Sequence, residues 1–203
     1  LQFKEIQKFR TIGCVSMLKS VLSSKLGTFL VVTLAFGLIQ FANSALTEFL
    51  QLVPGADLFN ISSGFKFVFV LIAGWIGAFG VVVATFVTSI IYKFPDQWLL
   101  VGELAFINGL APYLAIKLFV QNCGLEDDLS NINQKQVLWM GLLFVFLSSG
   151  LNQLILYWNN FSDNFLNGIL LMLIGDLTGT CFVLMGLIWV TKKSKLNQDK
   201  DSF

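Results

Sequence analysis

The sequence predicts an all-α fold, a polytopic transmembrane helical bundle of about six spans at 26–50, 57–74, 77–93, 99–120, 137–158 and 166–190. Three observations carry that expectation. Hydrophobic residues fill 56% of the 203 positions and charged ones only 12%, against about 25% charged in a soluble domain; the mean hydropathy is +0.77. That leaves too little polar surface to cover a water-soluble globule, so lipid must be the solvent for much of the chain. The apolar residues also fall in runs of about 20, the length at which a helix crosses a bilayer. Finally, most charges lie between those runs and at the two ends.

The first span follows Lys25. Its Ala42-Asn43-Ser44 could mark a signal-peptide cleavage site, but the apolar stretch continues past those small residues. The next stretch, from Asp57 to Tyr92, is too long for one comfortable helix. Its centre reads Ala73-Gly74-Trp75-Ile76-Gly77-Ala78-Phe79-Gly80, and glycines weaken helices and permit turns, so it divides into 57–74 and 77–93. The spans at 99–120, 137–158 and 166–190 are continuous apolar runs. Charge placement supports the division. Lys4, Lys8, Arg10, Lys19 and Lys25 precede the first span, and Lys192, Lys193, Lys195 and Lys200 follow the last. Basic residues prefer the cytoplasmic side, so both ends belong there and the number of spans is even. Six spans leave the loops 51–56 and 159–165 without Lys or Arg, and Lys93 is the one basic residue in an outer loop. Tyr92, Trp98, Tyr157 and Trp158 fall at outer ends and Trp139 and Trp189 at inner ends, where amphipathic rings prefer to sit.

The chain thus reads as a basic segment 1–25, one transmembrane domain 26–191 and a short basic cytoplasmic tail 192–203. Met17-Leu18-Lys19 looks like a natural start, which makes residues 1–16 read-through. Alternatively Phe3, Ile6, Phe9, Ile12, Val15 and Leu18, recurring every third position among lysines, form an interfacial amphipathic helix. Histidine is absent, which excludes a Ser/His/Asp triad and histidine metal sites. Cys14, Cys123 and Cys181 are far apart, with no CxxC, and read as free thiols. No metal, cofactor or nucleic acid is expected, and no nucleophile or acid/base pair has a recognisable setting, so the chain reads as a non-enzyme.

Ionisable groups within a span are costly and often mark function. Lys66, Glu103, Lys117 and Asp176 stand out. Lys117 lies near an inner end and can snorkel; Glu103, like Glu48, lies close enough to the outer surface to reach headgroups. Lys66 and Asp176 both fall roughly 15 Å below the outer boundary, so depth permits an ion pair. Asn108 and Asn152 lie in the same half of the membrane, and Glu103 stands near it. Lys66, Asp176, Asn108, Asn152 and Glu103 therefore form a candidate polar layer: a structural pair locking the helices, a pocket for a small polar or anionic ligand with Lys66 as its cation and Asp176 as its counter-ion, or a proton relay. Gly168, Gly175, Gly179 and Gly186 repeat by seven and four along the last span, and Gly77 and Gly80 lie on the third. Small residues let helix backbones approach closely, so these mark helix contacts. Pro112 frees the carbonyl of Asn108, tolerated in a membrane only where protein or water can bond it.

Several of these segments resemble one family. Asn60-Ile61-Ser62-Ser63-Gly64 followed by an apolar helix and Gly74-Trp75-Ile76-Gly77 is similar to the opening hairpin of the bacterial membrane-associated sensor (MASE-type) domains. Phe106-Ile107-Asn108-Gly109-Leu110 resembles their Gly-Asn-Thr helix start. Leu173-Ile174-Gly175-Asp176-Leu177-Thr178-Gly179 resembles their Trp-Leu-Gly-Asp-x-x-Gly segment. The order matches over about residues 57–190, although Ser62-Ser63 and Ile76 stand where those domains carry prolines. They commonly have eight spans and a fused cyclase, phosphodiesterase or kinase. The resemblance implies a stand-alone sensor-like domain in the bacterial inner membrane that signals through a separate partner protein. The alternative is a small-molecule uptake protein, like the compact six-helix substrate-binding subunits of energy-coupling-factor transporters.

Overall fold

In the computed structural model, the described residues are 24–47, 51–53, 56–57, 60–123, 125, 132–162 and 164–200. The expected interfacial helix, the Met17 start and Cys14 lie outside them. The fold is all-α. Five helices form it: α1 Lys25–Thr47, α2 Ile61–Tyr92, α3 Trp98–Cys123, α4 Gln134–Trp158 and α5 Phe165–Lys200. All five are long and apolar enough to cross a membrane. Between α1 and α2 a short antiparallel ladder joins β1 Gln51–Val53 to β2 Ala56–Asp57.

The sixth expected span is contained in α2. Gly74 has φ 58° and ψ −136°, a conformation that a residue with a Cβ rarely adopts, and the helix reverses there. A straight helix would hold Ser62 and Ser89 about 40 Å apart, yet both line one cavity. A Cβ on Gly77 would fall 2.6 Å from the carbonyl oxygen of Phe69, so the two arms, 61–73 and 75–92, lie side by side. The division expected at Gly74–Gly77 is therefore a one-residue reversal with no loop.

The second expected span, 57–74, requires a correction. Asp57 belongs to β2, and the helix starts only at Ile61. The first arm is about 20 Å long, short of the roughly 30 Å hydrocarbon core, so it starts part-way through the bundle. The Asn60 N–H donates to the carbonyl of Gly175 at 3.2 Å, ten residues into α5. α5 continues through Lys200, so the helix runs on into most of the expected basic tail.

Lipid tails are as apolar as leucine, so close packing rather than removal from water holds such helices together. α1 packs on α2, α2 on α3 and α5, and α4 on α3 and α5. Glycine permits the closest approaches. A Cβ on Gly179 would run into the Asn60 carbonyl, and one on Gly64 would lie 2.7 Å from the Gly179 carbonyl oxygen. Gly80 seats Val32 of α1, and Gly109 receives the Ala78 carbonyl and Val82. Phe67, Met140, Phe144, Val183 and Leu184 fill the space between the first arm, α4 and α5. Val32, Phe36, Val70, Val81 and Ala84 join α1 to both arms. Phe94, Leu100, Leu104, Leu156 and Met172 close the end of the bundle at the 93–97 turn. α1 is peripheral, with Leu26, Leu30, Leu34 and Leu38 forming an exposed stripe at four-residue spacing.

The glycines expected to form one face of α5 serve different neighbours. Gly175 and Gly179 meet the start of the first arm, Gly168 meets the Gln153 side chain, and Gly186 is exposed with nothing against it. The Gly175–Gly179 contact is thus occupied within this chain.

Candidate functional site: a polar cavity inside the bundle

Between α1, both arms of α2, α3, α4 and α5 lies a partly open cavity of about 80 Å³. Its wall includes four residues of the expected polar layer: Lys66, Asn108, Asn152 and Asp176. Lys66 and Asp176 are 4% and 7% exposed, which places both deep in protein.

Their partners differ from the simple pair that depth permits. The Lys66 ammonium donates to Oδ1 of Asn108 and stands 5.6 Å from the Phe144 ring centroid. The Asn108 amide donates to the Leu104 carbonyl at 2.8 Å and to Oδ1 of Asn152 at 3.3 Å, and Asn152 donates to the Ser148 carbonyl at 2.9 Å. Asp176 accepts from Nδ2 of Asn60 at 2.9 Å and from the Ser149 hydroxyl at 3.3 Å. Cation and carboxylate therefore line one cavity, each held by its own amide or hydroxyl groups, with no direct ion pair between them. An ammonium has three donors and a carboxylate about four acceptor positions. Both retain bonding capacity towards the cavity.

Two further groups on the wall are orphans. Among the described residues, Oγ1 of Thr85 and Oε1 of Gln40 are buried without a hydrogen-bond partner, and Thr85 is only 2% exposed. Buried polar groups are nearly always bonded, and an unbonded one costs about 1–3 kcal/mol. Orphans facing a polar cavity are what a site for water or a small polar molecule looks like.

The first arm positions much of this wall. Asn60 precedes it, its own N–H on Gly175 and its side chain on Asp176. Asn60 Oδ1 also accepts from Ser62 at 2.6 Å, and the Ile61 N–H donates to Asn43 of α1 at 3.0 Å. Irregular backbone at membrane depth is tolerated where protein or a cavity lines it, and here the Asn43 side chain of α1 and the Gly175 carbonyl of α5 receive it.

Glu103 does not belong to this layer. Its side chain is on the outside of α3, where Oε2 accepts from Nδ2 of Asn159 at 3.0 Å. The expected depth was close, but the register around the helix axis turns it away. Lys117 is exposed, its ammonium 5.9 Å from the Tyr113 ring centroid. Asn60, Ser62, Thr85, Ser89, Lys93, Gln40 and Ser149 are the site residues that sequence reasoning missed. Thr85, Ser89 and Lys93 recur every four positions on the second arm, a polar stripe in an apolar helix. That stripe was the available signal. Among the described residues no cluster of three potential metal ligands occurs. No family model, curated protein or solved structure matches the chain.

Proposed function

We propose that this protein is a membrane-embedded receptor for a small polar ligand, a sensor-like domain of the bacterial inner membrane that signals through a separate partner protein. The observation that carries this reading is the cavity, which combines a cation and a carboxylate that do not bond each other with the two orphaned groups Thr85 and Gln40. At ~30 Å³ per water, about 80 Å³ admits two or three waters or a ligand group of similar size. Lys66 would take the anionic or acceptor part of the ligand, and Asp176 its donors. Both chain ends would face the cytoplasm, and the basic extension of α5 would carry the change to the partner. The resemblance to MASE-type domains agrees with this assignment.

One observation favours the second reading, uptake of a small molecule as the substrate-binding subunit of a transporter. The first arm begins at mid-depth beside the cavity, as the discontinuous helices of transporters begin beside their substrates.

Thermal-shift screening of the detergent-purified protein against small anions, zwitterions and neutral polar molecules tests the proposal, since a ligand that binds only the folded form raises its stability. The expected result is a concentration-dependent rise that shrinks in Thr85→Val and Lys66→Met. No stabilising compound, or a rise equal in both variants, overturns it. Liposome accumulation of the stabilising compound, dependent on partner ATPases, would decide for uptake.

A further inference from the structure

Away from the cavity, α3 and α4 leave a groove of about 390 Å³ on the outside of the bundle. Leu99, Glu103 and Phe106 follow one another at spacings of four and three, and all three are exposed, so this face of α3 meets lipid. From α4 come Leu154 and Trp158, which is 83% exposed. Glu103 stands five residues after the first residue of α3, about 7.5 Å along the axis, near the end of the span where Trp98 and Trp158 also stand.

The carboxylate is held in place. Nδ2 of Asn159, which also donates to the Ile155 carbonyl at 3.0 Å, donates to Glu103. A neutral amide orients the carboxylate without cancelling its charge, and among the described residues no basic side chain bonds to it. A negative charge facing lipid attracts a cation. The indole of Trp158 on the same groove adds an aromatic face to which cations are also drawn. The rest of the lining, including Phe106, Ile107 and Leu154, is apolar and bulky. Bulky side chains keep a partner helix at a distance, whereas small ones admit it, so the groove suits a flexible acyl chain.

We propose that this groove is a binding site for a phospholipid with a primary-ammonium headgroup, its ammonium on Glu103 and an acyl chain along Phe106, Ile107 and Leu154. Charge complementarity selects the occupant. An anionic headgroup would place its charge against the Glu103 carboxylate, and a quaternary ammonium has no N–H to donate. The site is separate from the cavity and does not depend on its ligand.

The test is native mass spectrometry of the protein released from nanodiscs containing equal amounts of phosphatidylethanolamine, phosphatidylglycerol and phosphatidylcholine. The expected result is retention of phosphatidylethanolamine about tenfold above phosphatidylglycerol, and above phosphatidylcholine, a preference that Glu103→Gln reduces to within about twofold. Glu103→Asp should keep part of the preference, and the melting temperature of Glu103→Gln in lipid-free detergent should match that of the unsubstituted protein. Equal retention of the ethanolamine and glycerol lipids, or a preference unchanged in Glu103→Gln, overturns the proposal. Equal retention of ethanolamine and choline lipids overturns the primary-ammonium assignment.

Discussion

Asp176 and Glu103 are both carboxylates in apolar helices, yet they occupy opposite kinds of place. Asp176 is buried, with Asn60 and Ser149 bonded to it and Lys66 on the same cavity wall. Glu103 is on the outside of α3, beside exposed Phe106 and Trp158, with one amide to steady it. Polarity in the sequence marks both. What separates them is the direction each side chain takes from its helix and the backbone that comes to meet it. The start of the first arm comes to Asp176; nothing comparable covers Glu103. A charged residue in a span thus belongs to an interior site only where another element supplies its partners.

The contrast can be broken at its source. Gly179→Leu places a side chain where the Asn60 carbonyl lies, and backbone cannot yield as a side-chain tip does. A loss above about 3 kcal/mol, or failure to fold, is expected, read by reversible unfolding in detergent. Asp176→Leu leaves the Asn60 and Ser149 donors unanswered in the interior, for roughly 2–4 kcal/mol. Gly74→Ala tests the reversal that brings the second arm to the cavity. No atom obstructs the new methyl, so the whole effect is backbone strain at φ 58°, about 1–3 kcal/mol. Because Lys66 and Asp176 share a cavity without touching, the double variant Lys66→Met/Asp176→Leu should depart from additivity by only about 1 kcal/mol. A coupling near the 3–5 kcal/mol of a broken buried pair would show that they meet directly. Smallest of all, Glu103→Gln should change stability in detergent by less than about 0.5 kcal/mol. A loss comparable to that of Asp176→Leu would erase the distinction between the two regions.

Much of this was legible beforehand. Runs of about 20 apolar residues located three helices, and the start of α5, to within a few positions, and the glycine-rich centre of 57–93 marked the reversal, because a position with φ 58° needs glycine. That Lys66, Asn108, Asn152 and Asp176 belong together was also expected, and all four line one cavity, although the count that placed Lys66 began at Asp57 and the helix begins at Ile61. The delayed start at Ile61 was not. In sequence, residues 57–60 are compatible with a helix, and the start at Ile61 is fixed by the hydrogen bonds of Asn60 and Ile61 to Gly175 and Asn43. Nor could Thr85, Ser89 and Lys93 be connected to Lys66 before the arms were known to lie side by side.

By itself, then, the sequence determined that the chain is a helical membrane bundle, where most of its helices lie and which of its spans carry polar groups. Each of these follows from local quantities: apolar run length, residue rise and the conformational freedom of glycine. Only the tertiary structure decided which polar groups face one another. The rotation of each helix about its axis is set by close packing against neighbours distant in sequence, such as Asn60 on Gly179 and Gly80 on Val32. That rotation put Asp176 inside the bundle and Glu103 on its outer face.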